Sequence, residues 1–337
     1  MKRRLFNILM VIAVGWSLWA CQKEELKENN LDDAMIELCL TMPSASDMPS
    51  SRNSSTQSPD TQEDGTNYEN TLLGVVDMRV FVFDQNDLFI GEATDLTLEH
   101  GKTNNARYIW GQLPKKALGQ SVHMVLMANY ASRGAIISTP APFQTYSEWQ
   151  KMQTFMYGNI LWNANDNKFL PLSGECYPTI SNDPAIVNQE TIELIRAIAK
   201  VRIRVAADCT YTVTSLHVNG AKDNSFSLQQ NPFALPANRI DMACFQFSNE
   251  IKAEQVLEFY LPEQSANAIT MDLTMSDGEN TENGLIEFKV YPDGACYPVL
   301  RNFIYEFVVS KKIDNSIADI QLDILPWTVY DISSDYE

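Results

Sequence analysis

LIRAIAKVRIRV, residues 194–205, is the stretch from which the fold is read. In an extended chain Ile195, Ala197, Ala199, Val201, Ile203 and Val205 fall on one side. Arg196, Lys200, Arg202 and Arg204 fall on the other, with Ile198 among them. Alternation with period two is the mark of a strand that lays one face on a core. The charged face admits two readings: a surface strand paired to carboxylates of a neighbour, or a docking surface for an acidic partner subunit.

The same pattern continues downstream. TVTSLHV, QVLEFYL, ITMDLTM, LIEFKVY, FIYEFVV and IADIQLDIL all read as strands. Asn219-Gly220, Asp277-Gly278 and Asp293-Gly294 punctuate them as turn signals. Upstream, DAMIELCLTM (33–42) alternates, with Ile36, Leu38, Leu40 and Met42 on one face. In GVVDMRVFVFD, Val76, Met78, Val80 and Val82 lie opposite Phe81 and Phe83, which predicts a strand buried on both sides at its end. SVHMVLMANY is a further strand. One short helix is expected, where Thr145 and Glu148 fit a capping box ahead of Trp149, Met152 and Met156. Many short strands with such turns predict an all-β chain of sandwiches. The pattern restarts near 185, so two modules in series are expected, 33–184 and 185–337. Residues 43–70 hold no Ile, Leu, Val, Phe or Trp and are expected to form a mobile loop within the first module.

The start of the chain reads as an export signal. Lys2, Arg3 and Arg4 precede an apolar run from Leu5 to Leu18, and Ala20 precedes Cys21. The run is short for a membrane span, which takes about 20 residues. Leu18-Trp19-Ala20-Cys21 resembles a bacterial lipobox, which implies cleavage between Ala20 and Cys21 and acylation of Cys21. Residues 1–20 would be removed, and 21–32 would form a tether. Two or more acyl chains hold a protein stably at a membrane. Gln22-Lys23-Glu24-Glu25 is similar to the acidic export signal of surface lipoproteins, which implies the outer face of the outer membrane.

Composition narrows the function. The 337 residues carry a formal net charge of −18, which argues against nucleic acid as a partner. No CxxC occurs; Cys39, Cys176, Cys209, Cys244 and Cys296 are widely spaced and indicate neither a zinc site nor a disulfide framework. His100, His123 and His217 lie far apart without metal-ligand spacing. GxSxG, GxGxxG and the phosphate-binding lysine loop are absent. The acidic turns at 84–87 and 276–282 lack the twelve-residue calcium loop and read as ordinary turns. Trp110, Trp149, Trp162 and Trp327 could stack sugars, but they fall in apolar patterns that favour a core. No catalytic residue, metal, cofactor or small-molecule substrate is expected.

Several motifs then assemble into a resemblance. LIRAIAKVRIRV resembles the strand that opens the second domain of fimbrillin-type proteins. FYLPEQ (259–264), VLRNFIYEFVV and the closing IQLDILPW are similar to three later segments of the same proteins, and MRVFVFD and MVLMANY fit their first domain. With the lipobox, the resemblance is to the fimbrillin-associated anchor and minor fimbrial lipoproteins of type V pili. It implies two β-sandwich domains of transthyretin-like Greek-key topology and no enzymatic activity. It also implies a lipid-anchored place at the base of a fimbrium, partners among shaft or accessory subunits, and a role in limiting fimbrial length. Polymerising relatives are cut after an N-terminal arginine, which opens a groove for a neighbour's strand. Arg52 is the candidate for such a cut, and a polymerising or tip subunit processed there is the alternative. A surface glycan-binding lipoprotein is the alternative from another class.

Overall fold

The computed structural model describes residues 34–43, 72, 75–100, 107–156, 170–242, 245–247, 250–290, 295–310 and 319–327. Ala20, Cys21, the tether, Arg52 and nearly all of the 43–70 segment lie outside the described residues.

The architecture is all-β, with four main sheets among the described residues. The first sheet runs β4 (Thr94–His100), β5 (Arg107–Leu113), β1 (Ala34–Thr41), β9 (Val187–Glu193). The second runs β10 (Ile195–Arg196), β8 (Leu172–Cys176), β6 (His123–Ala128), β2 (Met78–Phe83), β3 (Phe89–Glu92). The third runs β15 (Val256–Leu261), β11 (Ala199–Val205), β20 (Phe303–Ser310), β21 (Asp319–Pro326). The fourth runs β14 (Phe245–Phe247), β12 (Thr212–Asn219), β16 (Thr270–Ser276), β17 (Thr281–Glu287). Two small ribbons pair β7 (Thr154–Met156) with β13 (Asn224–Phe226) and β18 (Lys289–Val290) with β19 (Ala295–Cys296).

Three apolar seams hold these sheets together. Ile36, Leu38, Leu40, Val80, Val82, Ile109, Met124 and Leu126 fill the space between the first and second sheets. Val201, Ile203, Leu216, Phe259, Leu273 and Phe307 do the same for the third and fourth. A third seam joins the outer face of the second sheet, through Phe81, Phe83, Val125 and Met127, to Tyr260, Ile304 and Trp327. This is why β2 is apolar on both faces at its end, as the sequence predicts, and why β6 is buried along its whole length.

The opening strand of each half takes an equivalent place. β1 lies antiparallel to β5 and parallel to β9, and β11 lies antiparallel to β15 and parallel to β20. The chain crosses from one half to the other later than residue 185. β9 and β10 belong to the first two sheets, because Ile192 and Leu194 complete the first core. The 194–205 stretch is therefore two strands with a break at 197–198, where the Ala197 amide donates to Pro171 O at 2.9 Å. Gly174 sits where this crossing passes β8; a Cβ there would meet Glu193 O at 2.3 Å.

The helix α1 spans Tyr146–Gln150 and is shorter than the apolar spacing to Met156 suggested. Its capping box forms as expected: the Glu148 amide donates to Thr145 Oγ1, and the Thr145 amide donates back to the Glu148 carboxylate. Gln153 Nε2 donates to the Trp149 carbonyl at 3.2 Å, and the chain then turns into β7 to pair with β13.

Candidate functional site: the first strand and a buried hub

β1 is an interior strand of its sheet, supplied by the N-terminal end of the described chain. Its register runs from Ala34 opposite Leu113 to Leu40 opposite Arg107 on one side, and from Met35 opposite Val187 to Thr41 opposite Glu193 on the other. Ala34, Ile36, Leu38 and Leu40 are fully buried. Burying each large side chain contributes about 1.5–3 kcal/mol. Asn188 Nδ2 donates to Met35 O at 3.0 Å and Gln189 Nε2 to Glu37 Oε2 at 2.6 Å, which tie the two strands side to side. A pull on the N-terminal end of β1 along its axis loads both hydrogen-bond ladders in shear.

The basic stripe is not a surface. Arg196 and Lys200 are fully buried and Arg202 is 8% exposed, so three of its four cations cannot meet a partner. The cause is Trp327. Its ring lies under the Arg196 guanidinium at 4.2 Å and under Lys200 Nζ at 4.9 Å, and it stacks on Tyr260 at 5.9 Å. Arg196 Nη1 donates to Trp327 O at 2.9 Å and to Asn302 Oδ1 at 3.0 Å. Arg202 pairs with Glu258 on β15 at 2.7 Å and approaches Glu306 on β20 at 3.7 Å. Arg204, half-buried, reaches Glu306 at 3.5 Å. Cross-strand carboxylates meet Lys200, Arg202 and Arg204, through Glu258 and Glu306, but on a buried face and not a solvated one, and Arg196 meets Asn302 and Trp327.

A second buried pair lies beside it. Arg301 and Glu263, both 3% exposed, meet at 2.6 Å. Arg301 also donates to Ser227 O at 3.0 Å and to Phe226 O at 2.7 Å, while Ser225 Oγ donates to Glu263 at 3.1 Å. Tyr130, at the end of β6, donates from its hydroxyl to Ser227 O at 2.5 Å. Burial pushes the Tyr130 hydroxyl well above its ordinary pKa, so it remains a donor. The motifs that the sequence presents as separate stretches, around Arg196, Glu263, Arg301 and Trp327, converge here on one hub. The hub joins the two pairs of sheets. The contacts among Tyr260, Glu263, Arg301, Asn302 and the 194–205 stretch are missed by sequence reasoning, because no spacing rule links positions so far apart in the chain.

The remaining candidates are placed as follows. The side chain of His100 lies outside the described residues. His123 is buried between Asp87 Oδ1 at 2.8 Å and Glu175 Oε2 at 3.2 Å, with Tyr177 stacked on its ring at 4.4 Å. His217 lies in β12 opposite Asp272 of β16. Asp84 Oδ1 accepts the amides of Asn86 and Leu88, and Asp277 Oδ1 those of Glu279 and Asn280, so both acidic turns are closed by their own backbone. Those amides hold the Asp277 carboxyl below its usual range. Trp149 and Trp327 are core, Trp110 is half-buried, and Trp162 lies outside the described residues. Cys39, Cys176, Cys209 and Cys296 are free thiols, and Cys244 lies outside the described residues. Among the described residues no three His, Cys, Asp or Glu side chains gather to hold a metal, and no helix is long and apolar enough to cross a membrane.

Solved structures share this architecture. The tip fimbrial protein Mfa3 from Porphyromonas gingivalis, truncated at its C-terminus, superimposes with a TM-score of 0.53 at 14% identity, covering 87% of this chain and 100% of that one. A putative cell adhesion protein from Bacteroides eggerthii gives 0.51 at 12% identity, covering 88% and 98%. At such identities these likenesses show the fold. No curated protein sequence matches the chain. The family described as fimbrillin-A associated anchor proteins Mfa1 and Mfa2 matches residues 58–333, which takes in most of both halves. The chain belongs to the fimbrillin-A associated anchor protein family, and its role is that of a fimbrial anchor or accessory protein.

Proposed function

We propose that the protein is lipidated at Cys21 and fixes a fimbrium to the outer face of the outer membrane, with a mechanical and non-enzymatic role. The observation that carries this reading is the position of β1. It fills an interior slot of its own sheet and begins thirteen residues after Cys21. Acyl chains resist extraction, the 21–32 tether conveys the load, β1 takes it in shear, and the hub carries it into the second pair of sheets. Sheet edges engage the first shaft or accessory subunit. An anchor that caps the shaft in this way also limits its length.

The Cys21→Ala variant tests the reading. Fimbriae are expected in the medium rather than on the cells, and fimbriae that stay attached would contradict lipid anchoring. A second reading has its own support. Arg52 lies in the connection between β1 and β2, so a cut there would leave β1 held by hydrogen bonds and packing alone. That is what a polymerising or tip subunit needs if a neighbour's strand is to replace β1. Mass analysis of the mature N-terminus separates the two: an acylated Cys21 supports the anchor, and a chain starting at Asn53 supports the polymerising subunit.

A further inference from the structure

The end of the first pair of sheets at which β1 begins carries exposed apolar side chains beside two lysines. Ala34 lies opposite Leu113, and Met35 opposite Val187. Just beyond Leu113 the chain turns through exposed Lys115 and Lys116, and Lys116 Nζ lies 5.7 Å from the centroid of the Phe143 ring. On the other side of β1, Asn188 Nδ2 donates to Met35 O at 3.0 Å and to Ile186 O at 3.4 Å. The Ser181 amide donates to Asn188 Oδ1 at 2.8 Å and the Gly119 amide to Ser181 O at 3.4 Å, which joins the two turns at this end. Phe143 is 71% exposed, Ile186 50% and Val187 39%. We infer that this end is a membrane-docking face: Phe143, Ile186 and Val187 enter the headgroup layer of the lipid surface, and Lys115 and Lys116 meet its phosphates. The inference rests on the proposed acylation of Cys21 and adds an orientation that acyl chains alone do not impose.

The first ground is where the chain leads. Cys21 lies thirteen residues before Ala34, and thirteen residues span at most about 45 Å. An acylated Cys21 therefore keeps this end of the fold next to lipid, and no other end is held so close. A second contact with the same surface is then intramolecular, so weak docking suffices.

The second ground is preorganisation. Phe143 has φ 64°, a left-handed conformation that a bulky residue adopts only under strain. Its loop is closed all the same: the Gln144 amide donates to Ala141 O at 2.9 Å, and Gln144 Oε1 accepts the Ala141 amide at 2.9 Å. Ile186 is presented by a turn in which its amide donates to Asp183 O at 3.1 Å. Gly119 has φ +69°, and a Cβ there would meet Asn182 Oδ1 at 1.7 Å, so the turns that frame the face pack closely. Fixed loops thus hold apolar side chains in water, and insertion costs little further ordering. Asp95 and Asp183 lie at the same end, the second with its carboxylate accepting the Ala185 amide at 2.9 Å. The apolar tips therefore carry more of the attraction than the lysines do.

The test uses the mature chain from residue 21 with Cys21→Ala, so that no acyl chain contributes. It reads co-sedimentation with phosphatidylethanolamine–phosphatidylglycerol vesicles and with phosphatidylcholine vesicles. Binding to the anionic vesicles is expected at millimolar lipid, and weaker binding to the neutral ones. Phe143→Asp is expected to weaken anionic-vesicle binding about tenfold, and Lys116→Glu about fivefold. Lys252→Glu, an exposed lysine of the second half, should leave it unchanged. All three variants should keep the parent melting temperature within a few degrees, since all three side chains are exposed. Absence of binding at millimolar lipid, or binding unchanged in both Phe143→Asp and Lys116→Glu, would overturn the docking face. Mass analysis of Cys21 reads the anchor separately: fatty acid at Cys21 without vesicle binding leaves the anchor standing and removes the face.

Discussion

Arg301 and Glu263 show how a charge becomes tolerable in an apolar seam. Taking both from water costs several kcal/mol each, and only a short contact with every remaining donor and acceptor engaged offsets it. Here two backbone carbonyls take hydrogens of the Arg301 guanidinium, and the Ser225 hydroxyl and the Arg301 amide donate to the Glu263 carboxylate, which engages most of the set. Arg301→Met alone leaves Glu263 buried without its cation, and we expect a loss of about 3–5 kcal/mol in urea unfolding. Adding Glu263→Leu should recover much of that loss. Glu175 makes a pH prediction at the same scale. Burial alone would raise its carboxyl, but hydrogen bonds from His123 and Tyr146, with the His123 interaction, outweigh it and hold the pKa below the ordinary value. A carboxyl more acidic in the folded than in the unfolded chain stabilises the fold above its unfolded pKa of about 4.3 and loses that contribution as pH falls through the lowered value. Melting temperatures of the parent should therefore drop more steeply below about pH 4 than those of Glu175→Gln. Parallel curves would show that Glu175 contributes nothing to acid lability.

Among the elements, β1 has the clearest consequence. Its apolar face is legible in DAMIELCLTM, because period two needs no knowledge of the partner strand. Its position between β5 and β9 is not legible, since alternation says which side is buried but not which strands flank it. The same limit explains the 187–196 stretch: its periodicity is that of a strand in either half, and only the packing of Ile192 and Leu194 assigns it to the first. The hub was legible as motifs but not as a contact. Arg196 and Lys200 sit at polar-looking positions of an alternating strand, and the tryptophan that covers them lies more than a hundred residues away. The slot makes a testable claim. A protease site placed at Arg52 and cut in the purified protein should leave the β1 fragment bound, because burial of Ile36, Leu38 and Leu40 alone contributes about 4.5–9 kcal/mol. Native mass spectrometry should show the nicked protein at full mass, with the fragment released only in denaturant. Release on dilution in plain buffer would mean that β1 cannot bear load through its side contacts.

At the scale of the whole molecule, the third seam decides whether the protein transmits force as one body or as two. Two sandwiches joined by a bare linker would unfold separately, the weaker yielding first. Here Trp327, from the end of the described chain, closes over Arg196 at the crossing between halves, and its amide donates to Asn302 O at 2.9 Å. The last strand is thus pinned to the point where the first half hands over to the second. Trp327→Ala removes the ring that covers two buried cations, and a loss of about 3–5 kcal/mol is expected from truncating a core tryptophan. The loss falls on the joint more than on either sandwich core, since Val201, Phe259 and Leu273 keep their own contacts. Calorimetry of the parent should give a single transition, and that of Trp327→Ala a broadened or split one with the second half melting first. Trp327→Phe, which keeps an aromatic face beneath Arg196 and Lys200, should restore most of the single transition. A Trp327→Ala protein that melts lower but in one sharp step would show that the halves are coupled through the β7–β13 ribbon instead, and the path of load would then run through Arg301 rather than Trp327.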